Sequence, residues 1–78
     1  LKRSEYNKAV HQHADQLFGY AIRFLRNRED ARDVVQDVFE KLCIHRKKVE
    51  LPQPKAWLFK TAHNTMINLI NRKERIQL

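Results

Sequence analysis

Apolar residues recur at three- and four-residue steps over most of the chain, the period of an α-helix with one buried face. Tyr6, Val10, His13, Leu17, Ala21 and Phe24 form one such stripe, widened by Phe18 and Leu25, and predict a helix over Glu5–Arg26. Gly19 interrupts it at a cost of about 1 kcal/mol relative to alanine, tolerable if another helix packs closely there. Asn27-Arg28-Glu29-Asp30 reads as a break and a restart, with Asn27 capping the next helix, Asp30 reaching back, and acidic groups suiting its first turn. The second stripe, Ala31, Val34, Val35, Val38 and Leu42, carries that helix to about Arg46. Pro52 and Pro54 forbid continuation through residues 47–54, and Pro54 suits the first turn of a third helix. That helix runs to about Arg75 on a core side of Leu58, Ala62, Thr65, Met66 and Leu69, with Phe59 and Ile70 at its margin. With no internal repeat or domain boundary, the fold class expected is all-α, a compact bundle of three main helices.

Composition narrows the class. Seventy-eight residues with one glycine and two prolines allow one small domain and argue against an all-β chain rich in tight turns. One cysteine excludes an internal disulfide and a thiolate zinc site and fits a reducing, cytoplasmic setting. Cys43 itself is read as a small core residue near the apolar side of the second helix. No apolar run approaches the ~18 residues that span a membrane, so no membrane insertion is expected.

Charge changes the picture more. The net +7 is uneven. Residues 1–28 carry six basic and two acidic groups, residues 41–78 nine and two, and the segment 29–40 five acidic groups against Arg32 alone. A strongly basic chain with a segment of net −4 in its middle suggests two partners of opposite character, or an acidic helix neutralised within its own fold. Asp30, Asp33, Asp37 and Glu40 fall within a sector roughly 80° wide at about 100° per residue, bordered by Gln36 and opposite the apolar stripe. Such like charges repel by a few tenths of a kcal/mol per pair. A basic protein surface is their natural complement, and a merely solvated face is the bland alternative.

Helix three presents a different chemistry away from its core side. Trp57, Lys60, Thr61, Asn64, Asn68, Asn71 and Arg75 align, flanked by Arg72, and His45, Arg46, Lys47 and Lys48 extend the basic track. Indole stacks on an unpaired base at about 1–3 kcal/mol, asparagine amides bond base edges, and Lys and Arg hold phosphates. The plain reading of Trp57 is a core residue packed on the loop. Three asparagines on one helix face are harder to dismiss, since Asn is a mediocre helix former.

Two segments resemble a known family. Asp30-Ala31-Arg32-Asp33-Val34-Val35-Gln36-Asp37-Val38-Phe39 is similar to the Ala-x-Asp-x-x-Gln-x-x-Phe core of region 2 in bacterial RNA polymerase sigma factors, closest to the extracytoplasmic-function (group 4) form. Trp57-Leu58-x-x-x-Ala62-x-Asn64 resembles the same family's next signature, and the order covers nearly the whole chain. The resemblance implies a transcription initiation factor domain and no enzyme activity. Its acidic helix (Asp30, Asp33, Gln36, Asp37 and Glu40) docks on the clamp coiled coil of the largest subunit of the RNA polymerase core. Its loop and third helix bind and melt the promoter −10 element, with a non-template base flipped into a pocket beside the loop. The DNA-binding residues expected are Arg46, Lys47, Lys48, Trp57, Lys60, Thr61, Asn64, Asn68, Asn71, Arg72 and Arg75.

The chain departs from relatives that carry aspartate at Asn68 and arginine at His63, so base preference does not transfer. Residues 1–78 are read as an isolated domain lacking the −35-reading domain of relatives, by design or by proteolysis. The alternatives are a helical protein-interaction module, for example one held by an anti-sigma factor, or a duplex binder with helix three in the major groove.

No cofactor or metal is expected. His11 and His13, two apart, lie on different sides of a helix, and His45 and His63 have no visible partner in the sequence. There is no Gly-rich phosphate loop, Gly-x-Ser-x-Gly or His-Glu-x-x-His motif.

Overall fold

The computed structural model describes residues 3–45 and 54–76, the side chains of residues 75 and 76 excepted. Within them lie three helices, α1 (Arg3–Leu25), α2 (Arg28–His45) and α3 (Lys55–Ile76), and each packs on the other two. The all-α expectation holds, with helix boundaries within two residues of those read from the pattern wherever the ends are described. The expected loop over residues 47–54 lies outside the described residues except for Pro54, whose carbonyl accepts the Leu58 N–H at 2.9 Å. Pro54 thus opens α3 from the cap, one position earlier than its first turn.

One core joins the helices. Leu17 of α1, Val38 and Leu42 of α2, and Leu58 and Met66 of α3 are fully buried. Ala9, Ala21, Ala31 and Ala62 are buried beside them, small side chains where helices approach. Ala9 and Phe39 join this core although the periodicity did not single them out. Two residues of the first stripe leave it. Phe24 is 38% exposed, and His13 is half-buried, its Nδ1 shielded from solvent and without a hydrogen-bond partner among the described residues. Cys43, expected in the core, is exposed, because it follows Leu42 by about 100° on a helix whose buried arc has already ended.

The corner between α1 and α2 is set by two residues. Arg26 takes φ 53°, the left-handed conformation that usually falls to glycine, and its N–H closes α1 on the Ile22 carbonyl at 2.7 Å. Asn27 then caps α2, its Oδ1 accepting the Asp30 N–H at 2.9 Å and its carbonyl the Ala31 N–H at 2.9 Å. The Asp30 carboxylate does not reach back to complete a capping box; it pairs with Lys73 of α3. At the other end, Tyr6 donates to the Phe39 carbonyl at 3.2 Å, tying α1 to α2. Burial, and next to it the nearby Cys43 thiol, push the Tyr6 hydroxyl pKa above its usual 10.0.

Gly19 has no close helix beside it. A Cβ placed there meets nothing within 4 Å. The packing reason expected for this glycine is not seen among the described residues, where Arg23 Nε donates to its carbonyl at 3.3 Å.

Candidate functional site

The acidic positions of α2 divide into two sets. Asp33, Gln36 and Glu40 are exposed. Asp30 and Asp37 are half-buried and paired inside the domain, Asp30 with Lys73 and Asp37 with Lys41 at 3.0 Å. Two carboxylates of the acidic helix are therefore neutralised within the fold, as one of the two readings expected, and the rest of the face meets solvent.

On α3, Lys60, Asn64, Asn68, Asn71 and Arg72 are exposed, and Thr61 is half-buried. Trp57 is half-buried against the core, so the plain reading of this residue is partly right. It stands in the first turn of α3, with one side on the bundle and the other toward solvent. Arg46, Lys47 and Lys48 lie outside the described residues, as does the Arg75 side chain.

The two faces meet. A groove of about 360 Å³ between α2 and α3 is lined by Asp37, Lys41, Thr65, Asn68 and Arg72. It continues into a second hollow of about 250 Å³ that adds Asp33, Val34 and Leu69. Lys41 crosses this groove, bonding Thr65 Oγ1 at 3.4 Å while it pairs with Asp37, and the Thr65 hydroxyl donates to the Thr61 carbonyl at 2.7 Å. Carboxylates, an amide and cations thus share one polar cleft, where the charge pattern alone suggests two unrelated surfaces.

The opposite flank of α3 carries a feature that the stripes did not reveal. Tyr20 and Phe24 of α1 meet Phe59 and His63 of α3. Tyr20 lies 5.6 Å from Phe59 and 6.2 Å from Phe24 between ring centroids, and His63 meets Phe24 edge-on at 5.7 Å. The Tyr20 hydroxyl and His63 Nδ1 are hydrogen-bonded at 3.1 Å, which gives His63 the partner that the sequence did not show. Lys55 Nζ sits 6.0 Å over the Phe59 ring. The available signal was a matched pair of i, i+4 aromatics, one on each helix. A further basin of about 620 Å³ at the α1–α2 corner is lined by Ile22, Arg23, Arg26, Asn27 and Arg28.

The Sigma-70 region 2 family model matches residues 9–76, a span that contains α2, α3 and most of α1. The chain belongs to the sigma-70 region 2 family. It is 29% identical over 76 residues to the ECF RNA polymerase sigma factor SigE of Mycolicibacterium smegmatis, covering 94% of this chain and 28% of that protein. The expected sigma region 2 of extracytoplasmic-function type is supported by both findings. This region 2 chain thus spans less than a third of the length of the curated relative it matches. No solved structure gives a significant match to it. Among its described residues no group of His, Cys, Asp and Glu is arranged to hold a metal, and no helix is long and apolar enough to cross a membrane.

Proposed function

We propose that this region 2 chain works in transcription initiation as an adaptor between RNA polymerase core and the promoter −10 element. The α2 face docks on the clamp coiled coil of the largest subunit. Asp33, Gln36 and Glu40 offer exposed acceptors to its Arg and Lys side chains, and Asp30 and Asp37 join by exchanging internal lysines for external ones. The α3 face captures the non-template strand as single-stranded DNA. Trp57 stacks at the fork, Asn64, Asn68 and Asn71 bond base edges, and Lys60, Arg72 and Arg75 hold phosphates together with Arg46, Lys47 and Lys48. Melting then proceeds by capture, with unstacking of a few kcal/mol offset by stacking and pocket contacts.

The observation that carries this reading is the juxtaposition in one groove of the acidic helix and the amide- and arginine-bearing helix. A chain made to join a basic protein surface to a nucleic acid needs both chemistries within reach of one another.

The test separates its two halves. Asp33→Ala with Gln36→Ala should weaken clamp binding about tenfold, or ~1.4 kcal/mol, with DNA affinity unchanged. Asn64→Ala should weaken binding to a −10 non-template strand, with clamp affinity unchanged and a salt slope of about −0.7 per phosphate contacted. Unchanged clamp affinity sinks the docking half. Equal binding of scrambled strands, or a preference for duplex over single strand, sinks the promoter half.

A further inference from the structure

We propose that the corner between α1 and α2 is a binding site for a compact polyphosphate, the chemistry shared by inorganic polyphosphates and nucleoside triphosphates. The site stands apart from the acidic and amide-bearing faces above and does not depend on what they bind.

Three observations point there. The first is convergence. Arg23 lies in the last turn of α1, Arg26 in the corner and Arg28 at the start of α2, and all three line one basin of about 620 Å³ with Ile22 and Asn27. Cations strung along a surface follow a nucleic-acid backbone, whereas guanidinium groups drawn around a bowl suit a compact anion. The volume falls within the range of small-molecule sites, and half-buried Ile22 gives the wall an apolar patch against which a base or ribose can rest.

The second is that the fold leaves these charges unpaired. Among the described residues the ion pairs are Lys41–Asp37 and Lys73–Asp30, and no carboxylate pairs with Arg23, Arg26 or Arg28. Arg23 gives its Nε to the Gly19 carbonyl, which leaves both terminal nitrogens for a ligand. Of the carboxylates in the first turn of α2, Asp30 is held by Lys73 and Glu29 is exposed. Glu29 opposes an anion, but three cations outweigh it.

The third is the backbone. Arg26 takes the left-handed conformation at φ 53°, which a side chain makes costly and which glycine adopts freely. A residue held there at a cost points to a use for its side chain. The amides of Arg28 and Glu29 open α2, where the helix itself supplies no acceptor, and they add partial positive charge at the same corner.

The experiment titrates the chain with tripolyphosphate, magnesium-free ATP and inorganic phosphate, read by calorimetry and by the NMR shifts of backbone amides and arginine Nε–H groups. Salt is held at about 0.1 M, where charges more than about 10 Å away are largely screened. Tripolyphosphate should bind at least about tenfold more tightly than phosphate, shift residues 22–29 most, and raise the thermal midpoint by mass action. Arg26→Gly should weaken it at least about fivefold, while the midpoint without ligand does not fall, because glycine suits the left-handed position. Arg28→Gln should weaken it to a similar degree. Lys60→Gln, about 20 Å along α3 from Lys73, should leave affinity within about twofold.

Tighter binding of ATP than of tripolyphosphate upholds the site and assigns it to nucleotides; equal binding upholds it for the phosphate chain alone. Shifts spread over α3, or equal losses in Arg26→Gly and Lys60→Gln, mean diffuse attraction to a basic protein and overturn it. Phosphate that binds as tightly as tripolyphosphate does the same. A short DNA duplex that displaces tripolyphosphate, and that Arg26→Gly weakens by the same factor, gives the corner to a nucleic-acid backbone and ends the proposal.

Discussion

Helix α3 has two flanks of opposite character. Toward α2 it faces the groove of Asp37, Lys41, Thr65, Asn68 and Arg72, in which the Lys41 and Asp37 side chains are 44% and 43% exposed. Toward α1 it faces the rings of Tyr20 and Phe24, packed at centroid distances near those of aromatic pairs in protein cores. Ion pairs at that exposure are worth little, typically about 0–1 kcal/mol, whereas partly buried rings contribute through area and through ring contacts. The difference teaches that the groove can rearrange cheaply when a partner supplies other charges. The aromatic seam between α1 and α3 holds its shape because both helices depend on it.

The strongest test strikes the core beneath both flanks. Leu58 is fully buried, and Leu58→Ala should cost about 2–5 kcal/mol, a large share of what a chain this small can have. A urea titration should show the midpoint falling steeply. A loss below about 1 kcal/mol would mean that the flanks, and not the core, hold α3.

Tyr20→Ala comes next, removing two ring contacts and the bond to His63. The expected loss is about 1.5–3 kcal/mol. If it costs no more than a groove substitution, the contrast between the flanks is wrong.

A reference outside both flanks is Tyr6→Phe, which removes the bond to the Phe39 carbonyl at a cost of about 1 kcal/mol. It also has a pH signature. Burial raises the folded-state pKa of Tyr6 above the unfolded value of 10.0. Its contribution is therefore fully present below pH 10 and is lost as pH rises through the folded-state pKa. Thermal melts above pH 10 should fall less steeply for Tyr6→Phe than for the parent chain.

The groove side was legible in the sequence because charge announces itself. Asp30, Asp33, Asp37 and Glu40 are conspicuous at helical spacing, and so is the Asn64, Asn68, Asn71 series. What could not be read was that the two faces adjoin, since that depends on how α2 and α3 cross, and no periodicity within one helix encodes a crossing. The seam was hidden for a related reason. Phe24 fits the first stripe as well as Leu17 does, and only the placement of α3 decides that Leu17 is covered and Phe24 is left at the rim. Trp57 shows the converse, a residue claimed by two readings, half-buried against the core as one of them expects and partly open to solvent as the other requires. Local devices were the easiest part, and Asn27 caps α2 because its side chain can do little else so well at that position.

A smaller effect with the opposite sign sharpens the picture of α1. Gly19 precedes Tyr20, has helical φ, and offers open space to a methyl group. Gly19→Ala should therefore stabilise the domain by about 0.5–1 kcal/mol, read as a raised thermal midpoint. Destabilisation would show that the seam extends further along α1 than its ring contacts indicate.

The smallest expected effect bears most directly on the groove. Lys41 follows Asp37 by four residues, the favourable order for a helical ion pair, which contributes about 0.3–0.5 kcal/mol. Its contact with Thr65 at 3.4 Å is long and adds little. Lys41→Met keeps most of the aliphatic stem and removes the charge, so the thermal midpoint should move by no more than about 0.5 kcal/mol's worth and respond weakly to salt. The same substitution leaves Asp37 without its internal cation and should strengthen, not weaken, binding of a basic clamp surface, in a titration against purified polymerase core. A stability loss above about 1 kcal/mol would make Lys41 a structural strut and the groove a rigid element like the seam. Weakened core binding would mean that Lys41 itself faces the polymerase. With neither outcome, the charges of the groove are held there for partners, and the rings on the other flank hold the helix that presents them.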